Sequence, residues 1–248
     1  MAQEWPERLW LVRHGQSAGN VAREKARAAG RGRIEIVRRD VDVPLSPLGE
    51  DEARALGAWF AAAAPAERPG VILASPYLRA RRTAELAAEA GGLIGPVIID
   101  ERLREREFGV LDGLIGAGVA ELHPDQAKAR RALGKFYYRP PGGESWCDVI
   151  LRLRSVFDTL SLHHAGARVL IVTHKVVVLC FRYLLENLDE ARILAIDRQG
   201  EVANCAVTDY ALDPRMEGAA GLVPRRYNFV PFALAEGLAE PKPEMVVD

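Results

Sequence analysis

Short, uninterrupted apolar runs, each giving way to a helical pattern, constrain this chain more than any other feature. Leu9, Trp10, Leu11 and Val12 stand in a row, and "VILAS" (71–75), "VIID" (97–100) and "RVLIVT" (168–173) repeat the theme. Ser46 with Pro47 predicts a helix start, after which Leu48, Leu56, Trp59, Phe60 and Ala63 recur at helical spacing. Pro76 opens a second helix to about Ala90, and a third runs from Asp148 to about His163. An apolar helix follows residues 168–173 through Tyr183 and Leu185. Strand-length runs alternating with longer amphipathic segments predict an α/β fold whose sheet carries helices on both faces. "CAVTDYAL" (205–212) alternates as a final strand. Beyond Asp213 the Pro and Gly content rises, which predicts a surface tail over 213–248, packed on a single domain of residues 1–248.

Two stretches break this rhythm. Residues 19–45 carry Arg23, Lys25, Arg27, Arg31, Arg33, Arg38 and Arg39, and residues 110–145 read as partly helical. Long connections in compact domains are usually functional or disordered. Singly, these arginines read as a solvated face; as a group beside a strand's carboxyl end they could guide an anionic substrate.

Composition narrows the partners. A formal net charge of −1 does not advertise nucleic acid or membrane. "MAQEWPERLW" has no basic stretch before an apolar run, so no secretory signal is expected, and no stretch has the length of a membrane span. The three cysteines, Cys147, Cys180 and Cys205, are scattered outside any CxxC pair, which suits a reducing cytoplasm rather than a disulfide framework. There is no HExxH, HxH or nucleotide-binding glycine loop, and neither metal nor cofactor is expected.

The chemistry lies at the ends of the apolar runs. The first ends in Arg13-His14, "RVLIVTH" ends in His174, and "VILAS" ends in Ser75-Pro76 with Arg79 in the first turn of the next helix. Parallel strands place their carboxyl ends on one edge, where ligands bind. If these strands are neighbours, two histidines and two arginines converge. Guanidinium forks suit phosphoryl oxygens, and an imidazole suits attack on phosphorus.

"LVRHGQS", "LSPLGEDEA", "SPYLRARRTAE", "LREREFG", "PGGES" and "VTH" occur in the order found in the histidine phosphatase superfamily, which includes the cofactor-dependent phosphoglycerate mutases. The resemblance runs from about Leu9 to Asn204. It implies a phosphoglycerate mutase-like fold, a three-layer α/β/α arrangement around a mostly parallel central sheet. By the same resemblance, His14 looks like a nucleophile that becomes phosphohistidine. Arg13, Arg79 and a protonated His174 look like the phosphate clamp, and Glu105 in "LREREFG" looks like the proton donor to the leaving group. Glu101 and Glu107 compete with Glu105, and the spacing from Leu103 to Gly109 favours Glu105. Ser17 and Asn20 resemble positions near the phosphate; a turn residue and a helix cap are their plainer readings. Lys175 follows the late histidine where the superfamily commonly has Gly, and could crowd the pocket or lend a third cation. A carboxyl among arginines is expected to have a lowered pKa and to be a reluctant acid.

Three functions follow from the resemblance. A metal-independent phosphomonoesterase on a small phosphorylated substrate leads. A phosphoglycerate mutase is second: Gly116 stands where the mutases have lysine and Lys175-Val176 where they have Gly-Asn, while Arg130-Arg131 could resemble the mutase arginine pair. A phosphate-binding protein without turnover is third. Oligomeric state is not readable from the sequence, and a homodimer stays open.

Overall fold

The computed structural model describes residues 4–213, 215 and 221–231. Six strands form one sheet: β1 (Arg8–Arg13), β2 (Val71–Ala74), β3 (Val97–Ile99), β4 (Arg168–Thr173), β5 (Val207–Leu212) and β6 (Leu222–Phe229), in the order β3-β2-β4-β1-β5-β6. The first four strands in that order run parallel, whereas β5 and β6 are antiparallel to their neighbours. This is the mixed α/β sheet, mostly parallel, that the sequence predicts.

Central strands are apolar on both faces because both faces are covered. On one side Leu9, Leu11, Val169 and Ile171 pack with Trp146, Leu153, Val177 and Phe181, which come from α6 (Trp146–His163) and α7 (Lys175–Leu185). On the other, Trp10, Val12, Leu170 and Val172 pack with Leu56, Phe60, Ala84 and Ala87 of α2 (Pro47–Ala61) and α3 (Leu78–Gly91). Successive strand side chains point to opposite faces, so each run of four apolar residues feeds two cores at once. Ser46 caps α2 by accepting from the Gly49 N–H, and Pro47 occupies the first turn. Leu48, counted in the apolar stripe of this helix, is instead exposed.

Two expectations need correction. Residues 205–212 are not the final strand. Extended structure begins at Val207, because Cys205 takes a positive φ of 51° and donates its N–H to the Arg13 carbonyl. The stretch read as tail then contributes β6 at the sheet edge, where Pro224, which has no N–H, is tolerated. Residues 214, 216–220 and 232–248 of that tail lie outside the described residues. The arginine-rich connection opens with helix α1 (Ala18–Ala28), in which Ala26 is the one buried residue. The 110–145 stretch holds α4 (Gly116–Leu122) and α5 (Pro124–Tyr137), and α8 (Glu190–Gln199) precedes β5.

Candidate active site

Strand register assembles the site. Arg13 pairs with Thr173 across β1 and β4, and Ala74 pairs with Val172 across β4 and β2. The next residue on each strand is therefore His14, His174 or Ser75, side by side at one edge. The His14 N–H extends the ladder to the Thr173 carbonyl (2.9 Å), and the Ser75 N–H to that of Val172 (3.0 Å). The rings of His14 and His174 meet edge to face, 5.1 Å between centroids.

His14 is buried and held in one tautomer. Its Nδ1 lies 2.7 Å from the Gly15 carbonyl, which can only accept, so Nδ1 carries the proton and Nε2 presents a lone pair. Arg79 Nε donates to that Nε2 (3.3 Å). Burial, with the charges of Arg79 and Arg13, holds the His14 pKa well below the usual histidine range. Around it the turn is locked. The Gly15 N–H donates to Thr83 Oγ1 (3.0 Å), which itself donates to the Arg79 carbonyl (2.7 Å). Asn204 Nδ2 donates to the His14 carbonyl (2.8 Å). A Cβ on Gly15 would strike the Gly49 carbonyl, so the "RHG" glycine lets α2 approach the turn. Gln16 completes that seam: Ser46 Oγ reaches its side chain (2.7 Å), and its N–H donates to Glu52 (2.6 Å).

His174 is fully buried, with Nε2 2.8 Å from Ser75 Oγ and no hydrogen-bond partner for Nδ1 among the described residues. Burial, followed by the charges of Arg79 and His14, lowers its pKa well below the usual range. The ring is therefore neutral, where the sequence-based expectation has it protonated. Ser75 Oγ accepts the Tyr77 N–H (3.3 Å), which leaves its own proton to donate to Nε2 and puts the ring proton on Nδ1. Arg79, buried in the first turn of α3, also grips Asp40, through the backbone carbonyl (Nη1, 2.6 Å) and the carboxylate (Nη2, 3.0 Å). Its guanidinium lies over the Tyr77 ring, which also packs on His174. Arg13 is anchored by the Val202 carbonyl.

Glu105 is partly buried beside this group, and its carboxylate feels Arg79, Asp40 and Arg13. Burial outweighs those arginines and the Arg106 N–H (2.9 Å), so its pKa is raised, opposite to the lowering expected from its basic neighbours. Glu101 is exposed, and Glu107 lies on the Tyr77 side. The loop carrying Glu105 is fastened by Glu144 of "PGGES". Its carboxylate accepts from Arg104 (2.8 Å), Arg152 (3.0 Å) and the Glu107 N–H (3.1 Å), and its carbonyl from Arg106 (2.6 Å). Gly143 packs against the Glu107 carbonyl so closely that a Cβ would clash.

Ser17 and Asn20 border the site as a capping box: Ser17 Oγ accepts the Asn20 N–H, and Asn20 Oδ1 the Ser17 N–H. Lys175, in the first turn of α7, carries its ammonium to Asp197 (3.3 Å) and Glu201 (3.0 Å). Ser75, Thr83, Asp40 and Glu144 had no assigned place in the site from sequence. For Ser75 the signal is a hydroxyl at the end of an apolar run, the same place that His14 and His174 take on theirs.

The model of the histidine phosphatase superfamily (branch 1) matches residues 9–218. The chain belongs to the histidine phosphatase superfamily. It is 38% identical over 175 residues to the bifunctional protein Rv2228c of Mycobacterium tuberculosis, covering 70% of this chain and 42% of that protein, so it spans less than half that relative's length. It is 31% identical over 176 residues to the probable phosphoglycerate mutase GpmB of Serratia proteamaculans, covering 69% and 71%. Among solved structures it resembles a mycobacterial glucosyl-3-phosphoglycerate phosphatase complexed with VO3, with a TM-score of 0.63 and 28% identity over 83% of this chain and 92% of that one. For a member of this superfamily, the site offers a neutral imidazole nitrogen facing two guanidinium groups, an imidazole donor and one carboxyl whose pKa is raised.

Proposed function

We propose that the protein is a phosphomonoesterase that passes the phosphoryl group through His14. The observation that carries this is the His14 ring, buried and neutral, with Nδ1 fixed by the Gly15 carbonyl, Nε2 turned toward Arg79 and the His174 ring beside it. Neutral imidazole escapes part of the repulsion that a phosphate monoester directs at anionic nucleophiles. Its Nε2 lone pair forms the N–P bond while the ester P–O bond breaks, and Glu105 gives its proton to the departing alkoxide. In the second step, water gives its proton to the Glu105 carboxylate as its oxygen bonds phosphorus. The N–P bond then breaks, releasing inorganic phosphate and neutral His14. Arg13, Arg79 and His174 Nδ1–H receive the three equatorial oxygens, where preformed donors supply most of the stabilisation. The raised pKa of Glu105 suits its first role.

Two observations favour hydrolysis over mutase chemistry. Gly116 places no side chain over the pocket, and Lys175 is engaged by Asp197 and Glu201. Arg130 and Arg131 are exposed on α5. The kinship with GpmB, named as a probable phosphoglycerate mutase, keeps transfer to a second hydroxyl as the rival reading. A reducing, cytoplasmic setting fits three cysteines that are all free, and no helix among the described residues is long and apolar enough to cross a membrane.

The test is turnover of an aryl phosphate, and of 3-phosphoglycerate primed with 2,3-bisphosphoglycerate, in chelator. Phosphate release without isomerisation is expected, lost in His14→Ala. Glu105→Gln should slow alkyl esters on the order of 10²–10⁴-fold and activated aryl esters much less, because a good leaving group needs little protonation. Isomerisation faster than release would make the protein a mutase.

A further inference from the structure

The arginine that faces the His14 nitrogen is also the one that holds a carboxylate. Arg79 spends Nη2 on Asp40 Oδ2 (3.0 Å) and Nη1 on the Asp40 carbonyl (2.6 Å), while its Nε meets His14. The Arg79 side chain is 6% exposed and that of Asp40 is 39% exposed, so the carboxylate stands where the pocket opens to solvent. Its neighbours are mixed in sign: Arg79 offsets it directly, and beyond that pair it acts on the carboxyls of Glu105 and Asp112. Tyr77, which lies under the Arg79 guanidinium and meets His174 edge to face, has its phenol pKa raised by burial and then by the charges of Glu107, Asp40 and Glu105, against the opposing charge of Arg79. The cation facing this rim from α1 is Arg23, which interacts with Asp112 and Arg13. Arg79 and Arg13 thus stand beside His14, while the Asp40 carboxylate, held 3.0 Å from Arg79 and partly open to solvent, acts on Glu105, the group that would protonate the alcohol.

We propose that Asp40 sets the charge selectivity of this pocket, disfavouring phosphomonoesters whose alcohol carries a negative group near the scissile bond and leaving esters of neutral or cationic alcohols as the substrate class. The proposal rests on the phosphatase reading. A phosphoglycerate places its carboxylate within a few bonds of the phosphate, and on this rim it meets Asp40. A fixed like charge several ångströms away near a protein surface weakens an interaction roughly tenfold. Asp40→Asn removes that charge and keeps the backbone carbonyl that holds Arg79 Nη1.

The experiment compares kcat/KM for propyl phosphate, 3-aminopropyl phosphate and 2-carboxyethyl phosphate, similar in size and differing in charge, with p-nitrophenyl phosphate as the activity control. The wild type is expected to use the carboxyethyl ester worst, by about tenfold against the propyl ester. Asp40→Asn should close that gap, and Asp40→Glu should retain it. A purely structural role would lower all three esters by the same factor in Asp40→Asn, and an unchanged ratio overturns the proposal while leaving the phosphatase intact. A wild type that prefers the carboxyethyl ester also overturns it. No turnover of any ester, p-nitrophenyl phosphate included, overturns the phosphatase reading and this one with it.

Discussion

Ser75 bears on which nitrogen of His174 carries the ring proton. With its hydroxyl donating to Nε2 at 2.8 Å, Nδ1, unpartnered among the described residues, carries the proton and acts as a neutral donor. Ser75→Ala frees the proton to move to Nε2, turning a lone pair toward the oxygens. Turnover of an aryl phosphate should fall on the order of tenfold, the scale of one lost hydrogen bond of about 1.4 kcal/mol. The imidazole ¹⁵N shifts of His174 should change tautomer in the same variant; rates within twofold of wild type would reject this role. At this scale the sequence is legible where chemistry follows directly on an apolar run. His14, Arg13 and His174 end strands, and Arg79 falls one turn later. It is not legible where a tertiary approach sets the role. Asp40 sits beside two arginines and reads as part of a solvated face until Arg79 is seen to reach it. Likewise, nothing local marks Thr83 as the acceptor for Gly15.

The loop bearing Glu105 has little regular structure of its own, so its position depends on the element that ties it down. Glu144, just before α6, takes Arg104, Arg152 and the Glu107 N–H on one carboxylate. Those bonds hold the Glu144 pKa below the usual range against the opposing effect of burial. Glu144→Gln leaves the poorly exposed Arg152 without a charged partner and replaces one of the two accepting oxygens, so that either Arg104 or the Glu107 N–H loses its acceptor. Leaving such groups unsatisfied costs about 1–3 kcal/mol each. The variant should be less stable to urea and should share the leaving-group dependence of Glu105→Gln, with alkyl esters slowed more than aryl esters. Equal slowing on both would mean that Glu144 serves the fold and not the acid. The apolar elements were readable because burial writes a period into them. Helix α1 was not: its one buried side chain leaves no apolar stripe, and capping by Ser17 and Asn20 fixes its start. Strand β6 was hidden by Pro224 and its arginines, which only an edge strand accommodates.

Over the whole molecule, placing this chemistry at the sheet edge has a consequence for stability. His14 and His174 are buried and neutral, with pKa values held well below the value of about 6.5 that they regain on unfolding. Below that pH the unfolded chain binds two protons that the folded chain refuses, so their contribution is fully present above pH 6.5 and lost as pH falls. Glu105 works in the opposite sense. Its raised pKa makes the folded chain hold a proton longer, so its contribution is present below the usual carboxylate range and lost as pH rises through the folded value. The two histidines act together and dominate the window just below pH 6.5. Each approaches a slope of about 1.4 kcal/mol per pH unit only well below pH 6.5, and accounts for about 1 kcal/mol over the first unit. Unfolding free energies from urea titrations should therefore fall by about 2 kcal/mol between pH 6.5 and 5.5. The double variant His14→Gln, His174→Gln should lose most of that slope. A double variant as acid-sensitive as the wild type would place the sensitivity elsewhere, with His164, whose pKa burial also lowers, as the next ring to replace.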